Sequence, residues 1–587
     1  MVVLDISSMD KRFLPTNLDE GKQYYADFQQ FDVVFITGDP YYDHPLSGMA
    51  MLTRLLDKKG YKIGIIAQPL SDQEYQKCGR PKYFFCITSG LLDSMLANYT
   101  PMLKERENVL VPERALMVYT QKVKQMYLGC ITVLGGVEAT IRRFTHFDYK
   151  DNKLRRGILN DTKADLLLFS DAERSLLTLL DRMKGKEITS LNFREVIDLT
   201  TLNGAAFRVK QPDKKIRALP SYEECVADKL KFNLLTRIHY LLPDDPFVEQ
   251  CGLGFIQHNR PSHTLCEEEM DLMYELPFTR LLHPDSKNYG FNQSMVGKLE
   301  ASVIIGRGCW GSCSFCIIPL VQGKEVAKRS KESIVKEIET LYASGVTKIN
   351  DLTLPTLNMY GSSCALYNVP ETIYSPVIEK DIIVFNKKKY CNQQCVGCPQ
   401  RQLSDDLYPL LEAVEKLQEK YEGTSLELRS AIRHDIILDQ KKLFRKIMQF
   451  VTRLKIAPEH ISDTVLKNMN KATKQAFDDF LKEYELVNKE QGTHKNLVPY
   501  FVAAHPGSTM EDMKILRKYC EDKDIYVNLT QVFTPTPGTL STAMYYTGEN
   551  PVTRKPIYVP RAFREKKDQK NMLMGFEKDI PTADEQG

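Results

Sequence analysis

The chain has 587 residues, 43% of them hydrophobic, with 79 Lys and Arg against 76 Asp and Glu. At about 150 residues per domain that length allows two to four domains, and so even a charge balance does not by itself suggest a nucleic-acid binder. No apolar run approaches the roughly 18 residues of a membrane span, acid at Asp5 comes too early for a signal peptide, and the 14 cysteines point to reduced thiols and metal ligands in a cytoplasmic protein.

After a leader over residues 1–30, Asp32 to Asp39 reads as a buried strand ending in a turn, and 47–59 as a helix. Tyr61 to Ala67, Tyr83 to Thr88, Ile131 to Leu134 and Leu166 to Phe169 read as further strands with helical stretches between them. This alternation predicts a doubly wound parallel sheet over 31–185. Residues 186–295, rich in charge and proline, read as a connecting region that wraps one or both domains. Strand–helix alternation resumes over 296–551. Candidate strands are 301–305, 346–350, 425–429, 453–457, 497–503 and 525–531; candidate helices are 331–343, 407–420, 439–451, 463–489 and 509–521. Ser508 to Glu511 forms a capping box for the last helix. A Cys-rich insertion spans 358–405, and 552–587 is a basic tail with a loose end. The expected fold class is α/β: an N-terminal doubly wound, cobalamin-binding-like domain joined to a partial (β/α)6 barrel.

The most informative run is Cys309-Trp310-Gly311-Ser312-Cys313-Ser314-Phe315-Cys316. C-x3-C-x2-C can place three thiolates on three irons of a 4Fe–4S cluster, leaving the fourth iron without a protein ligand, whereas electron-transfer clusters usually carry four Cys. The run resembles the cluster loop of radical S-adenosylmethionine (SAM) enzymes, in which the open iron chelates SAM. A zinc knuckle fits less well, because zinc normally takes four ligands and no fourth Cys or His is near in sequence. The loop follows the apolar strand 301–305, at the strand end where β/α barrels keep their active sites.

Cys391, Cys395 and Cys398 repeat the spacing without the aromatic or the preceding apolar strand. With Cys364 they make four thiolates, enough for an auxiliary 4Fe–4S cluster or a tetrahedral zinc site, the alternative being unligated thiols. Glu459 and His505 follow the fourth and fifth barrel strands and are candidate catalytic residues, weighed against a loop-shaping role. Arg433 follows the third strand and suits a carboxylate or phosphate, weighed against surface charge. Asp351 and Thr353 end the second strand and Gln531 the sixth; all three are candidate cofactor-binding residues. Asp43-His44 is similar to the D-x-H-x-x-G motif that supplies cobalamin with an axial His, but here the two residues are adjacent, so cobalt ligation by His44 is not expected.

Many runs together resemble the YgiQ family of radical SAM proteins. They include Phe35 to Asp39, Tyr42 to Pro45, Gly64 to Pro69, Leu134 to Ala139, Leu276 to Phe278, the Cys309 loop, Lys455 to His460, Pro499 to Gly507 and Thr542 to Tyr545. The resemblance spans roughly 30–570. It implies a 4Fe–4S cluster, SAM and a cobalamin-binding-like first domain, but no substrate. A Gly-Gly pair expected after the second barrel strand is replaced by Asp351 to Thr356.

The reading is therefore a radical SAM enzyme that cleaves SAM reductively to a 5′-deoxyadenosyl radical acting on an unknown substrate. A reducing donor such as flavodoxin or ferredoxin is its expected partner. One alternative is an RNA- or protein-modifying methylthiotransferase, whose second cluster would need Cys78, Cys86 and Cys130. Another is a non-enzymatic iron–sulfur or zinc scaffold that binds nucleic acid through the tail.

Overall fold

The computed structural model describes residues 12–289, 301–527 and 529–574. Five parallel strands open the fold: β1 (Val33–Thr37), β2 (Ile63–Ala67), β3 (Phe84–Thr88), β4 (Ile131–Leu134) and β5 (Leu166–Leu168). Their order is 2-1-3-4-5, that of a doubly wound sheet whose strand order reverses between β1 and β3. Both faces are covered, so each strand is a continuous apolar run. Val33 and Phe35 join one core with Met51, Leu55 and Leu176, whereas Val34 and Ile36 join another with Leu116, Tyr119 and Leu159.

Of residues 186–295, expected to wrap the domains, 290–295 lie outside the described residues and the stretch 205–258 extends this sheet. β6 (Ala205–Val209), β7 (Arg217–Ala218), β8 (Phe247–Cys251) and β9 (Gly254–His258) add four strands in the order β5-β6-β9-β8-β7. β6 pairs antiparallel with β5, and β8 with β9, across the Gly252 turn. These added strands carry polar residues such as Arg208, Glu249 and Gln257, which hides their period in sequence.

The second unit is the expected partial barrel. In chain order its strands are β10 (Ser302–Ile304), β11 (Lys348–Ile349), β12 (Asp351–Thr353), an inserted hairpin β13 (Tyr367–Ser375) and β14 (Lys380–Lys387), then β15 (Ser425–Leu426), β16 (Arg453–Glu459), β17 (Asn496–Ala503) and β18 (Leu529–Val532). β10 pairs with β12, β11 with β15, and β16 with β17 and β17 with β18, all parallel; an Ile432–Ile456 bridge closes the gap between β15 and β16. Helices Lys331–Ala343, Leu407–Lys420, Lys441–Gln449 and Met510–Asp522 follow the expected periods and pack on the outer strand faces, for example Ile338, Leu410, Phe444 and Leu516 on Val303, Leu352 and Phe501. The helix expected over 463–489 is two, because Asn470 at φ 53 caps Asp463–Met469 and Thr473 starts Lys474–Gln491. Of the expected strand 525–531, residue 528 lies outside the described residues, while Ile525 and Val527 are core residues leading into β18.

Three devices join the two units. The tip of the β13–β14 hairpin inserts Val377 into the core of the sheet domain and pairs Glu379 with Lys59 at 2.6 Å. Helix Leu540–Thr547 packs on helix Lys229–Leu241 through Ala543 and Tyr546. Arg307 of the barrel places Nη1 2.7 Å from Glu173 Oε1 of the sheet domain, within which Asp43 accepts from Arg54 Nε at 3.0 Å and from the Thr279 N–H at 2.9 Å. The expected tail is docked as far as helix Phe563–Met574, whose Gln569 bonds Ala504 N–H and the Ser508 carbonyl; residues 575–587 lie outside the described residues.

Asp43 and Arg54 are both fully buried, so removing one charge strands the other. Asp43→Ala is expected to cost about 3–5 kcal/mol in denaturant unfolding. A loss below about 1 kcal/mol would show that the pair does not hold this region together.

Candidate functional site

The site grows from the end of β10. Gly308 stands at φ +89, and a Cβ there would lie 2.0 Å from the Glu325 carbonyl oxygen, so only glycine lets the chain turn into the Cys309 loop. The loop is held by distant segments. Ser314 N–H donates to the Met469 carbonyl at 2.9 Å, Asn470 Nδ2 donates to the Ser312 carbonyl at 2.7 Å, and Ser541 N–H donates to the Ser314 carbonyl at 2.9 Å. Cys309 N–H reaches the Gly323 carbonyl at 3.3 Å.

Cys309, Cys313 and Cys316 are partly accessible free thiols. Burial raises the pKa of Cys309, and raises that of Cys316 to about 12; Cys313 is close enough to add to both shifts. Such thiols deprotonate only when a metal or a cation takes up the charge. Arg433 supplies a cation. It is buried, contrary to the surface-charge reading, and forks onto Asp435 through Nε at 2.9 Å and Nη2 at 3.0 Å. Its Nη1 faces the loop, 2.7 Å from where a Cβ on Gly311 would lie. Burial opposes its charge, but Asp435 and the thiols of Cys313 and Cys309 more than offset this and keep its pKa above the usual value.

Among the described residues, no three His, Cys, Asp or Glu side chains converge as ligands of one ion would. Thiols that each take a separate iron of a cluster need no such convergence. Three thiols on one loop with a guanidinium beside Gly311 suit a 4Fe–4S cluster, whose irons take one thiolate each.

Of the other candidates, Glu459 and His505 lie near this loop, the first within reach of the Arg433 charge and the second with its ring 6.1 Å from that of Phe315. Glu459 is buried at φ 69, and its carboxylate lies 3.6 Å from Lys471 Nζ. Burial raises its pKa, which Lys471 and Arg433 pull back. His505 is fully buried: Nδ1 lies 2.8 Å from the Pro506 carbonyl and Nε2 2.6 Å from Ser541 Oγ. A carbonyl only accepts, so Nδ1 carries the proton and Nε2 accepts from the hydroxyl. Burial lowers its pKa to about 3, so the ring is neutral. Through Ser541 it braces the Ser314 carbonyl.

Asp351 accepts from the N–H groups of Arg429 at 2.8 Å and Ser430 at 2.9 Å, and from Ser430 Oγ at 2.6 Å, tying the second strand to the third. Thr353 is half-buried and donates to Asp351 Oδ2 at 3.2 Å. Gln531 is exposed on the strand face it shares with Val502.

The second cysteine group lies beside the first. Cys395 Sγ is 3.7 Å from Ser312 Oγ, between Cys309 and Cys313 in sequence. Gln393 clamps this contact, its Oε1 taking Lys324 Nζ at 2.7 Å and its carbonyl taking Tyr240 Oη at 3.1 Å. Burial raises the Cys364 pKa, and Cys395 and Cys391 are near enough to add to it. Cys398 N–H turns back to the Cys395 carbonyl at 3.3 Å. In the sheet domain, Cys78, Cys86 and Cys130 are buried among apolar side chains, and burial raises each thiol. His44 is buried against Tyr42, its Nδ1 accepting from the Leu46 N–H at 3.1 Å and its Nε2 facing Arg280 Nη1 at 3.2 Å. Sequence reading missed Lys471, Asn470 and Ser541; the one local sign was an Asn at a helix end.

Residues 13–295 match the family described as Radical SAM N-terminal, and residues 528–579 match a domain of unknown function (DUF3362). A UPF0313 protein of Methanocaldococcus jannaschii is 34% identical over 96% of this chain and 92% of its own length. One from Geobacter sulfurreducens is 35% identical over 96% and 92%. Among solved structures, the radical S-adenosylmethionine methyltransferase TsrM of Kitasatospora setae, with cobalamin and a [4Fe-4S] cluster bound, is similar at a TM-score of 0.47 and 12% identity, over 87% of this chain and 74% of that one.

His505→Ala strands the Ser541 hydroxyl and is expected to cost about 1–3 kcal/mol in urea unfolding. The iron retained per chain after anaerobic reconstitution should fall with it, and His505→Gln should restore part of it. Unchanged stability and iron content in His505→Ala would show that the ring does not brace the loop.

Proposed function

Because the chain belongs to the UPF0313 family, which is the YgiQ family of radical SAM proteins, we propose that it is an enzyme that cleaves SAM reductively. The observation that carries this reading is the Cys309 loop at the end of β10, with three free thiols beneath the Arg433 guanidinium. A 4Fe–4S cluster on Cys309, Cys313 and Cys316 would supply an open iron for SAM and the electron that splits it into methionine and a 5′-deoxyadenosyl radical, which then takes hydrogen from the substrate.

The chain's own side chains have separate tasks. Arg433 offsets thiolate charge and holds the loop close. Glu459, kept beside Lys471, is placed to accept a hydroxyl of SAM or substrate. His505 orients the loop through Ser541. Asp351 fixes the end of the second strand, so that Thr353 and the neighbouring carbonyls present themselves to SAM. Gln531 contributes an amide from the sixth strand.

Cys364, Cys391, Cys395 and Cys398 are read as ligands of a second iron–sulfur cluster or a zinc ion. The contact of Cys395 with the first loop supports a role in passing electrons from a donor such as flavodoxin or ferredoxin. Among the described residues no helix is long and apolar enough to cross a membrane, which fits a donor met in a reducing cytoplasm.

Single Ala variants of Cys309, Cys313 or Cys316 are expected to abolish 5′-deoxyadenosine formation by the dithionite-reduced protein while leaving far-UV circular dichroism unchanged. Cleavage persisting in the triple variant would sink the assignment. For the second site, the triple variant should still hold iron or zinc after anaerobic reconstitution, and lose it when Cys395 and Cys398 are also replaced. A triple variant free of both metals would mean that the insertion binds none.

A further inference from the structure

The carboxyl ends of β1, β3 and β4 open onto a cavity of about 420 Å3. In doubly wound sheets ligands sit in the crevice outside the strand ends where the strand order reverses, here between β1 and β3. The floor is glycine at Gly90 and Gly136, both at positive φ; a Cβ on Gly90 would lie 2.2 Å from Asp39 Oδ1, and one on Gly136 2.4 Å from Thr88 Oγ1. The barrel supplies the opposite wall through Arg307, Leu354 and Pro355.

Most of the lining is apolar, including Phe35, Met49, Leu52 and Leu176. Among the described lining residues three carboxylates, Asp39, Asp171 and Glu173, face one cation, Arg307. Arg307 is already taken, its Nη1 lying 2.7 Å from Glu173 Oε1 and 3.4 Å from Asp171 Oδ1. Glu173 is 3% exposed, yet its Oε2 is buried without a partner. A buried carboxylate oxygen left unpaired is costly, and a donor arriving with a ligand would remove that cost. Burial also raises Asp39 to about 6, and burial with the neighbouring Glu173 charge raises Asp171 to about 7. An anionic ligand would add to the imbalance. His44 does not line the cavity.

The cavity lies beside the cluster loop. Arg307 is two residues before Cys309, and Thr356, next to Pro355, has its Oγ1 3.7 Å from Cys309 Sγ. We propose that this cavity is the substrate site, and that the substrate is a compact, mostly apolar molecule with a protonated amine donating to Glu173 Oε2. The substrate role rests on the radical SAM reading above; the binding does not.

The test is calorimetry on the anaerobically purified full chain without SAM, comparing 2-phenylethylamine with 3-phenylpropanoate, a carboxylate of similar size. The amine is expected to bind with a Kd on the order of 1 mM, and the carboxylate more weakly by tenfold or so. Glu173→Gln should weaken amine binding about tenfold. Leu52→Trp, which fills the cavity from a half-buried wall, should abolish it and serves as a second variant should Glu173→Gln fold poorly. No amine binding by folded wild type, equal binding of the carboxylate, or hydroxocobalamin binding that Leu52→Trp blocks would each overturn the proposal. Amine binding without SAM cleavage would instead overturn the radical SAM reading and leave the site standing.

Discussion

One buried guanidinium sets the geometry on which the rest depends. Arg307 leaves the first barrel strand and reaches into the sheet domain, where it meets Glu173, Asp171 and the Tyr274 hydroxyl, the last at 2.8 Å. A charge so deep is tolerated only while its partners stay in place. The end of β10 therefore cannot drift from the sheet edge without stranding Arg307 and both carboxylates. Two residues later the chain enters the cysteine loop, so the same interaction fixes the loop against the carboxyl ends of β1, β3 and β4. Arg329, paired with Glu337 inside the barrel, meets the same Tyr274 ring. It is fully buried, with Nη1 2.9 Å from the Ile304 carbonyl and its guanidinium 5.0 Å from the Tyr274 ring centre.

Given that anchor, the remaining contacts set orientation. The loop itself has little regular structure and is fixed by groups from helix termini: the Met469 carbonyl, Asn470 at a helix C-cap and Ser541 in the first turn of a helix. Sites borne on such rigid elements keep their geometry better than free loops. The left-handed conformation of Glu459 belongs to this pattern. It is a non-glycine residue at φ 69 where the β16–β17 register shifts, a strained arrangement of the kind found at functional positions.

What was legible in the sequence was local. Val33 to Thr37 and Ile63 to Ala67 are apolar on both faces and announce buried parallel strands; Ile334, Ile338 and Leu341 recur at helical spacing; Cys309, Cys313 and Cys316 are close enough in sequence to declare their shared loop. What was hidden depends on tertiary contact. β6 to β9 interrupt their apolar residues with polar ones such as Arg208, Glu249 and Gln257, so their period is faint. The β13–β14 hairpin turns its inner face, Ile382 and Val384, inward while Ile383 and Phe385 stay exposed, and it read only as part of an insertion. Arg433 stood between an anion contact and surface charge because nothing nearby in sequence reveals that it packs against Gly311. The proximity of Cys395 to Ser312 spans 83 residues and leaves no trace in either segment.

The groups that bond the cysteine loop itself, from Gly323, Met469, Asn470 and Ser541, all come from later in the chain, and this has a consequence for biosynthesis. Cys309, Cys313 and Cys316 leave the ribosome long before Asn470, His505 and Ser541 exist to hold them. Helix Phe563–Met574, which pins Ala504 and Ser508 through Gln569, is made later still. Contacts this distant in sequence form late in folding. A nascent chain thus carries three neighbouring thiols with no brace, open to oxidation or to the wrong metal. Truncations anywhere before helix Phe563–Met574 would uncouple thiol synthesis from thiol placement.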